Sequence, residues 1–204
     1  MATAKHPHLN DSSAPKKFDV YSPTVVVYEG ETFDWNISGQ DGQSGVSVTK
    51  YSPTWPFTET SFGVALGPGT PATVLPNTAG QYQFECTPAA PTTPQNLIVA
   101  KVYNECRDPQ AAQGGYFAWQ NTQNGAIVVN PDPTQTWPLV ENAPVVIHPN
   151  TTKIVQVSPS ATVGDHGIGV TIQQGGRGAC AQAGTPKIIV TAPPVPKPKP
   201  KHSH

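Results

Sequence analysis

Thr24-Val25-Val26-Val27-Tyr28-Glu29-Gly30-Glu31-Thr32-Phe33-Asp34-Trp35 gives the first firm structural reading of the chain. Three consecutive valines favour a pleated, half-buried strand. Glu29-Gly30 then supplies a turn, since glycine takes the backbone angles that other residues avoid. From Thr32 onward Phe33, Trp35 and Ile37 alternate with Thr32, Asp34 and Asn36, the period of two that puts one face of a strand on a core and the other on water. The same alternation returns in Thr78-Ala79-Gly80-Gln81-Tyr82-Gln83-Phe84-Glu85-Cys86. There Tyr82, Phe84 and Cys86 share one face, and Gln81, Gln83 and Glu85 share the other.

Outward from these segments the pattern stays β. Val46 and Val48 alternate after turn signals at Asp41-Gly42 and Ser44-Gly45, and a further strand is predicted over 96–102. Residues 52–76 carry Pro53, Pro56, Pro68, Pro71 and Pro76, so they predict a long excursion with short edge strands, because proline cannot donate to a central ladder. In the second half, strands are predicted over 116–120, 126–130, 144–147, 152–158, 167–173 and 187–191. Each is short and bounded by Gly, Pro, Asn or Asp, the spacing of an all-β sandwich. No convincing helical periodicity is present. Residues 1–19 are polar and read as a flexible arm. Residues 193–204, with Pro193-Pro194-Val195-Pro196-Lys197-Pro198-Lys199-Pro200-Lys201, read as a stiff, solvated polyproline-type tail. A short linker near 101–108 predicts two halves with limited relative freedom. A faint repeat relates Pro23-Thr24-Val25-Val26-Val27 to Ala143-Pro144-Val145-Val146-Ile147, each followed by a turn and an alternating strand; generic hairpin grammar is the favoured account and kinship of two sandwiches the other.

The bulk numbers fit. The chain has 204 residues, with only 12% charged, 24 prolines and 18 glycines. The charged share is about half of what a soluble domain usually carries. A net charge of −1 argues against broad attraction to nucleic acid or to an anionic membrane. The longest apolar runs are far short of the ~20 residues a membrane helix needs. The N-terminus lacks an apolar core of the signal-peptide type, which fits either a cytosolic protein or a mature chain with an added Met. Extracellular or cell-surface placement is the expectation from composition, and a cytoplasmic one is compatible with the missing signal. Of the three cysteines, Cys106 and Cys180 are candidates for a bridge that leaves Cys86 free; three reduced thiols is the other reading.

The stretch from 24 to 99 resembles the cupredoxin family. Three features carry the likeness: the valine strand with Glu29-Gly30-Glu31-Thr32 and Trp35, the Ala79-Gly80-Gln81-Tyr82-Gln83-Phe84-Glu85-Cys86 segment, and a closing strand Leu97-Ile98-Val99 about a dozen residues later. The resemblance implies an all-β chain of two Greek-key-type β-sandwich domains. The first, 20–102, would be cupredoxin-like; the second, 103–192, Ig-like or cupredoxin-like; the two ends would be disordered. It also implies a copper ion held by two imidazoles, a thiolate and a weak axial group. The thiolate maps to Cys86. The first histidine would fall near 44–48, where the chain has Ser44-Gly45-Val46-Ser47-Val48. The second would follow the cysteine, where it has Thr87-Pro88-Ala89-Ala90-Pro91. The axial methionine has no counterpart, since the one Met is Met1. The expectation is therefore a scaffold without the copper, with no cofactor or metal, and Cys86 as a small buried residue.

Other constellations are sparse. His6, His8, His202 and His204 lie in the tails. His148 precedes Pro149, and His166 sits in Gly164-Asp165-His166-Gly167, which reads as a surface turn. A metal site from His148, Asp165 and His166 competes with that simpler account. Gly175-Gly176-Arg177-Gly178 reads as a hairpin turn without a following helix to bind phosphate. Acidic residues are scattered singly and no Gly-x-Ser-x-Gly elbow is present. Trp55, Phe57 and Trp137 are candidates for docking a sugar ring or a protein partner, against the alternative that they plug the ends of the cores. Asn10, Asn36 and Asn150 head glycosylation sequons. The leading expectation is a non-catalytic structural or assembly subunit whose partner is itself or another surface protein. A carbohydrate- or protein-binding module comes second, an atypical copper-binding redox protein third and an enzyme last.

Overall fold

The computed structural model describes residues 15–37, 45–67, 69–88, 94–104, 107–173 and 186–193. It is all-β, with fifteen strands and no helix among those residues. The chain separates into two compact units: Met1–Val25, Gly30–Leu75 and Tyr82–Leu97 form the first, and Val26–Glu29, Pro76–Gln81 and Ile98–His204 form the second.

The first unit packs a three-stranded sheet and strands of a seven-stranded one. One has the order β1-β3-β6, from β1 (Lys16–Asp19), β3 (Thr32–Asn36) and β6 (Thr70–Thr73). The other contains β7 (Gly80–Thr87), β4 (Gly45–Lys50) and β5 (Ser61–Ala65), with β4 antiparallel to both neighbours and β5 at the edge. Alternation places Phe33 and Trp35 of β3 inward, fully buried, and Trp35 meets Phe84 of β7 across the core. The rings continue edge to face: Phe18 on Phe33 at 5.2 Å, Phe33 on Phe57 at 6.0 Å, and Phe57 on Trp55 and Phe62 at 5.2 Å each. Removing a phenylalanine of this kind from water contributes about 1.5–3 kcal/mol, and each ring pair adds about 0.5–1.5 kcal/mol. The proline-rich excursion does contain edge strands. Pro71 sits in β6 opposite Asp34, on a strand at the sheet's margin where a missing N–H is tolerated. Gly69, just before β6, has a φ of +84°, and a Cβ there would lie 3.1 Å from the Asp34 Cβ. Only glycine lets the chain turn so close to β3.

The second unit is also layered. The C-terminal part of β8 (Gln95–Asn104) runs parallel to β10 (Tyr116–Gln120), which pairs antiparallel with β13 (Thr152–Gln156). The long β8 also pairs with β2 (Thr24–Tyr28). The opposing sheet has the order β12-β11-β14-β15-β9, from β12 (Val145–Ile147), β11 (Ile127–Pro131), β14 (Gly164–Ile172), β15 (Lys187–Thr191) and β9 (Gln110–Ala112). Its core is mostly aliphatic: Ile127, Val129, Val145, Ile147, Ile168, Ile188 and Val190 pack on Phe117, Trp119, Val155 and Val157.

Three expectations need correction. Residues 16–19, read as the end of an arm, form strand β1, parallel to β3 in the register Lys16 with Phe33 through Asp19 with Asn36. The strand holds a single apolar residue, Phe18, so periodicity could not reveal it. Residues 110–112 form β9, parallel to β15, again without a bulky alternating pattern. His166 is in strand β14 with a buried side chain, not in a surface turn. Cys106, Cys180, the 175–178 hairpin turn, the four tail histidines and Asn10 lie outside the described residues.

Candidate functional site

Cys86 is the residue the sequence marks most strongly, and its surroundings define a seat for strand β1. The β7 alternation turns Cys86 inward, where it is almost completely buried. Its Sγ donates to the backbone carbonyl of Val20 at 3.1 Å. Gln95, fully buried at the start of β8, donates through Nε2 to the same carbonyl at 2.6 Å and lies 3.4 Å from Sγ. Val20 follows β1 directly. Its side chain is fully buried and its N–H donates to the Asn36 carbonyl at 2.9 Å.

Alternation along the segment sends Lys16, Phe18 and Val20 to the same side. The Lys16 ammonium pairs with the Glu31 carboxylate, a buried charge that needs such a partner. Phe18 lies edge to face on Phe33. Asp19 closes the segment with a tight turn: its carboxylate accepts from the Tyr21 N–H at 2.9 Å and its carbonyl from the Ser22 N–H at 3.0 Å. The seat thus reads a cation, an aromatic ring and an aliphatic residue at every second position, together with one backbone carbonyl.

This environment does not suit copper. Burial pushes the Cys86 thiol above its ordinary range; the nearby Asp19 charge adds to that, and the Gln95 hydrogen bond opposes it. A thiol held protonated is a poor ligand and a poor nucleophile. Its strand neighbour in the register is Val48, at the end of the segment where the cupredoxin likeness implied a histidine. No group of three or more His, Cys, Asp or Glu side chains arranged for a metal occurs among the described residues.

The aromatic candidates are drawn inward. Phe57 is buried in the ring cluster, and Trp55 is half-buried with an Nε1 that has no partner. Trp137 packs on the second unit's core and donates from Nε1 to the Glu141 carbonyl at 2.6 Å. Among the described residues, the large apolar side chains that do face solvent are Tyr51, Leu66, Val140 and Val163.

His166 and Asp165, neighbours on β14, are engaged separately. His166 has Nε2 at 2.7 Å from the Thr162 carbonyl and Nδ1 at 3.1 Å from that of Thr136. The exposed Asp165 carboxylate accepts from Lys187 Nζ at 2.6 Å, and His148 is exposed. The second unit also has an open cleft of about 590 Å³ lined, among the described residues, by Lys101, Tyr103, Asn104, Arg107 and Asp108. Lys101 Nζ lies 5.6 Å from the centre of the Tyr103 ring.

No family model matches the chain. No curated protein matches it either. Among solved structures it is similar to copper nitrite reductase from Nitrosomonas europaea, at 13% identity over 78% of each chain with a TM-score of 0.27. It is similar to copper-containing nitrite reductase from Thermus scotoductus, at 11% identity over 85% of this chain and 56% of that one, with a TM-score of 0.30. The D0-D1 domain of intimin matches at 12% identity over 81% of this chain and 91% of that one, with a TM-score of 0.27. Likenesses of this size assign no activity.

Proposed function

We propose that the chain is a non-catalytic structural or assembly subunit built from β-sandwich domains, exported or surface-associated, whose partner is a further copy or another surface protein. The observation that carries this reading is the seat at Cys86. The residue that a redox scaffold would give to a metal instead fastens a terminal strand: its thiol and the neighbouring Gln95 both hold the Val20 carbonyl. Trp137 and Phe57 likewise serve internal packing. Low charge and short edge strands suit a body that packs against its neighbours. The cupredoxin resemblance then concerns the scaffold rather than its chemistry.

Size-exclusion chromatography with light scattering over a hundredfold range of concentration tests the reading. Mass that grows with concentration supports it. A strict monomer throughout would overturn it.

A second reading, a binding module, is favoured by the cleft at 101–108. A tyrosine ring with Lys101 Nζ 5.6 Å from its centre, in a cleft that Asn104, Arg107 and Asp108 also line, suits a sugar that carries a carboxylate. Calorimetric titration with an acidic and a matched neutral oligosaccharide would separate this reading from the first. Binding of the acidic form alone would support it, and indifference to both would remove it.

A further inference from the structure

We infer that the seat of β1 is an exchange site, and that its partner is a second copy of this chain, which donates its own Lys16-to-Val20 segment in place of the resident one. The inference rests on the assembly reading above and names the surface through which assembly runs.

Beyond Val20 the segment runs into the rest of the first unit through a turn in which the Tyr21 and Ser22 N–H groups donate to Asp19, followed by Pro23, whose carbonyl accepts from the Asn96 N–H at 2.9 Å. What the segment brings to its seat is specific. The Lys16 ammonium meets the buried Glu31 carboxylate, the Phe18 ring meets Phe33, and the buried Val20 side chain brings the carbonyl that Cys86 and Gln95 hold. An empty seat would deprive Glu31 of its ammonium and leave the Cys86 thiol and the Gln95 amide, both deeply buried, without the oxygen they share. Unmatched buried polar groups are costly, so the seat stays filled. The segment that reproduces all these contacts is the same one from another copy. Exchange therefore preserves every contact in the seat and alters only the turn, which makes swapping a low-cost route to association. Reciprocal exchange closes a dimer, and exchange passed from copy to copy builds an open chain.

The register supplies the test. Lys17 lies opposite Asp34 on the parallel pair, and Lys17 faces solvent. Full-length Lys17→Cys and Asp34→Cys proteins are mixed at high concentration, oxidised, digested and read by peptide mass spectrometry. Because neither variant carries both thiols, a peptide linked from 17 to 34 can form only between copies. The expected result is that this linked peptide appears in the mixture. A double variant, Lys17→Cys with Asp34→Cys, oxidised at high dilution so that it locks its own strand, should retain the far-ultraviolet β signal and lose association at least tenfold in the concentration required. Persistent association in the locked variant, with no 17-to-34 link between copies, would overturn the exchange and leave the assembly reading intact. A monomer at every concentration would overturn both.

Discussion

The two units solve the burial of polar groups differently. In the first, an aromatic core surrounds three buried polar atoms without partners: Trp35 Nε1, Trp55 Nε1 and Gln95 Oε1. In the second, a mostly aliphatic core surrounds polar side chains that are fully engaged. Asn121, completely buried, donates through Nδ2 to the carbonyls of Gly125, Ile147 and His148, and accepts from the Gln123 N–H. His166 has a carbonyl at each ring nitrogen. A buried polar group with every partner in place specifies one arrangement, whereas an unfinished one costs stability. The contrast indicates that the first unit draws much of its stability from ring packing and leaves a few buried polar atoms without partners beside the groups that fasten Val20, while Asn121 in the second has a partner for each of its side-chain polar atoms.

The largest test of that contrast is Phe33→Ala, which removes the ring shared by Phe18, Trp35 and Phe57. A loss of about 3–5 kcal/mol is expected in urea unfolding. A loss under about 1.5 kcal/mol would mean that the rings do not hold the first unit together.

A pair of substitutions comes next. Asn121→Ala takes a donor from the carbonyls of Gly125, Ile147 and His148 and an acceptor from the Gln123 N–H, and is expected to cost about 1–3 kcal/mol. Gln95→Met keeps the side-chain length but removes the Nε2 donor to the Val20 carbonyl along with an oxygen that has no partner; Cys86 Sγ still donates to that carbonyl, so the cost is expected at about 0.5–1.5 kcal/mol, below that of Asn121→Ala. Equal costs in thermal unfolding would erase the distinction between the units.

The turns before β3 and β13 offer a smaller comparison. Gly30 has a φ of +78° and Asn150 a φ of +54°. In both places a valine-rich strand ends, the chain turns through the left-handed region, and the next strand pairs elsewhere: β2 with β8 but β3 with β1 and β6; β12 with β11 but β13 with β10. The faint repeat in the sequence thus has a counterpart in the backbone. Gly30→Ala is expected to cost about 1–2 kcal/mol, the price of a Cβ in that region. Asn150→Gly should change stability by only a few tenths of a kcal/mol, since Asn already tolerates the conformation. Circular dichroism melts of the two variants would check the difference.

The smallest effect is an alkaline one. The Cys86 thiol and the Tyr116 hydroxyl are both pushed up by burial, from ordinary values of 9.0 and 10.0. Each therefore favours its protonated form in the folded state, so its contribution is complete below the ordinary value and is lost as pH climbs through the raised one. Stability should begin to decline above pH 9.0 on account of Cys86 and decline further above pH 10.0 on account of Tyr116. Cys86→Ala should flatten the first limb and spare the second. Unfolding midpoints measured between pH 8 and pH 11, about one pH unit either side of the ordinary thiol and phenol values, would reveal a retained first limb and so remove the thiol as its cause.

Strands built on alternation were legible. β2, β10 and β15 fall at the predicted bounds, and β3 and β7 within a residue or two, because their apolar positions recur with a period of two and end at Gly, Pro or Asn. β1 and β9 were not legible, because parallel edge strands this short are recognised through backbone pairing and carry little periodicity of their own. The burial of Cys86 could be anticipated from its place beside Phe84. Its partners could not, since Val20 lies 66 residues away and nothing local indicates a shared carbonyl. His166 was misread because Gly164 and Gly167 flank it; in β14 the glycines occupy strand positions, and the register with Ile188 turns the imidazole inward. Phe57, with a proline beside it, could be read as a docking ring or as a plug at the end of the core, and the meeting of Phe33 and Phe62 from different strands explains why it is covered.

The direction of β1 has a mechanical consequence. Tension that enters at Pro15 pulls along the strand, so its bonds to β3 and the Val20 fastening are strained together in shear. A force across the strand would instead peel the same bonds one after another. A chain anchored through this segment would therefore resist being drawn lengthwise far better than being lifted sideways, and would yield first at the turn after Asp19.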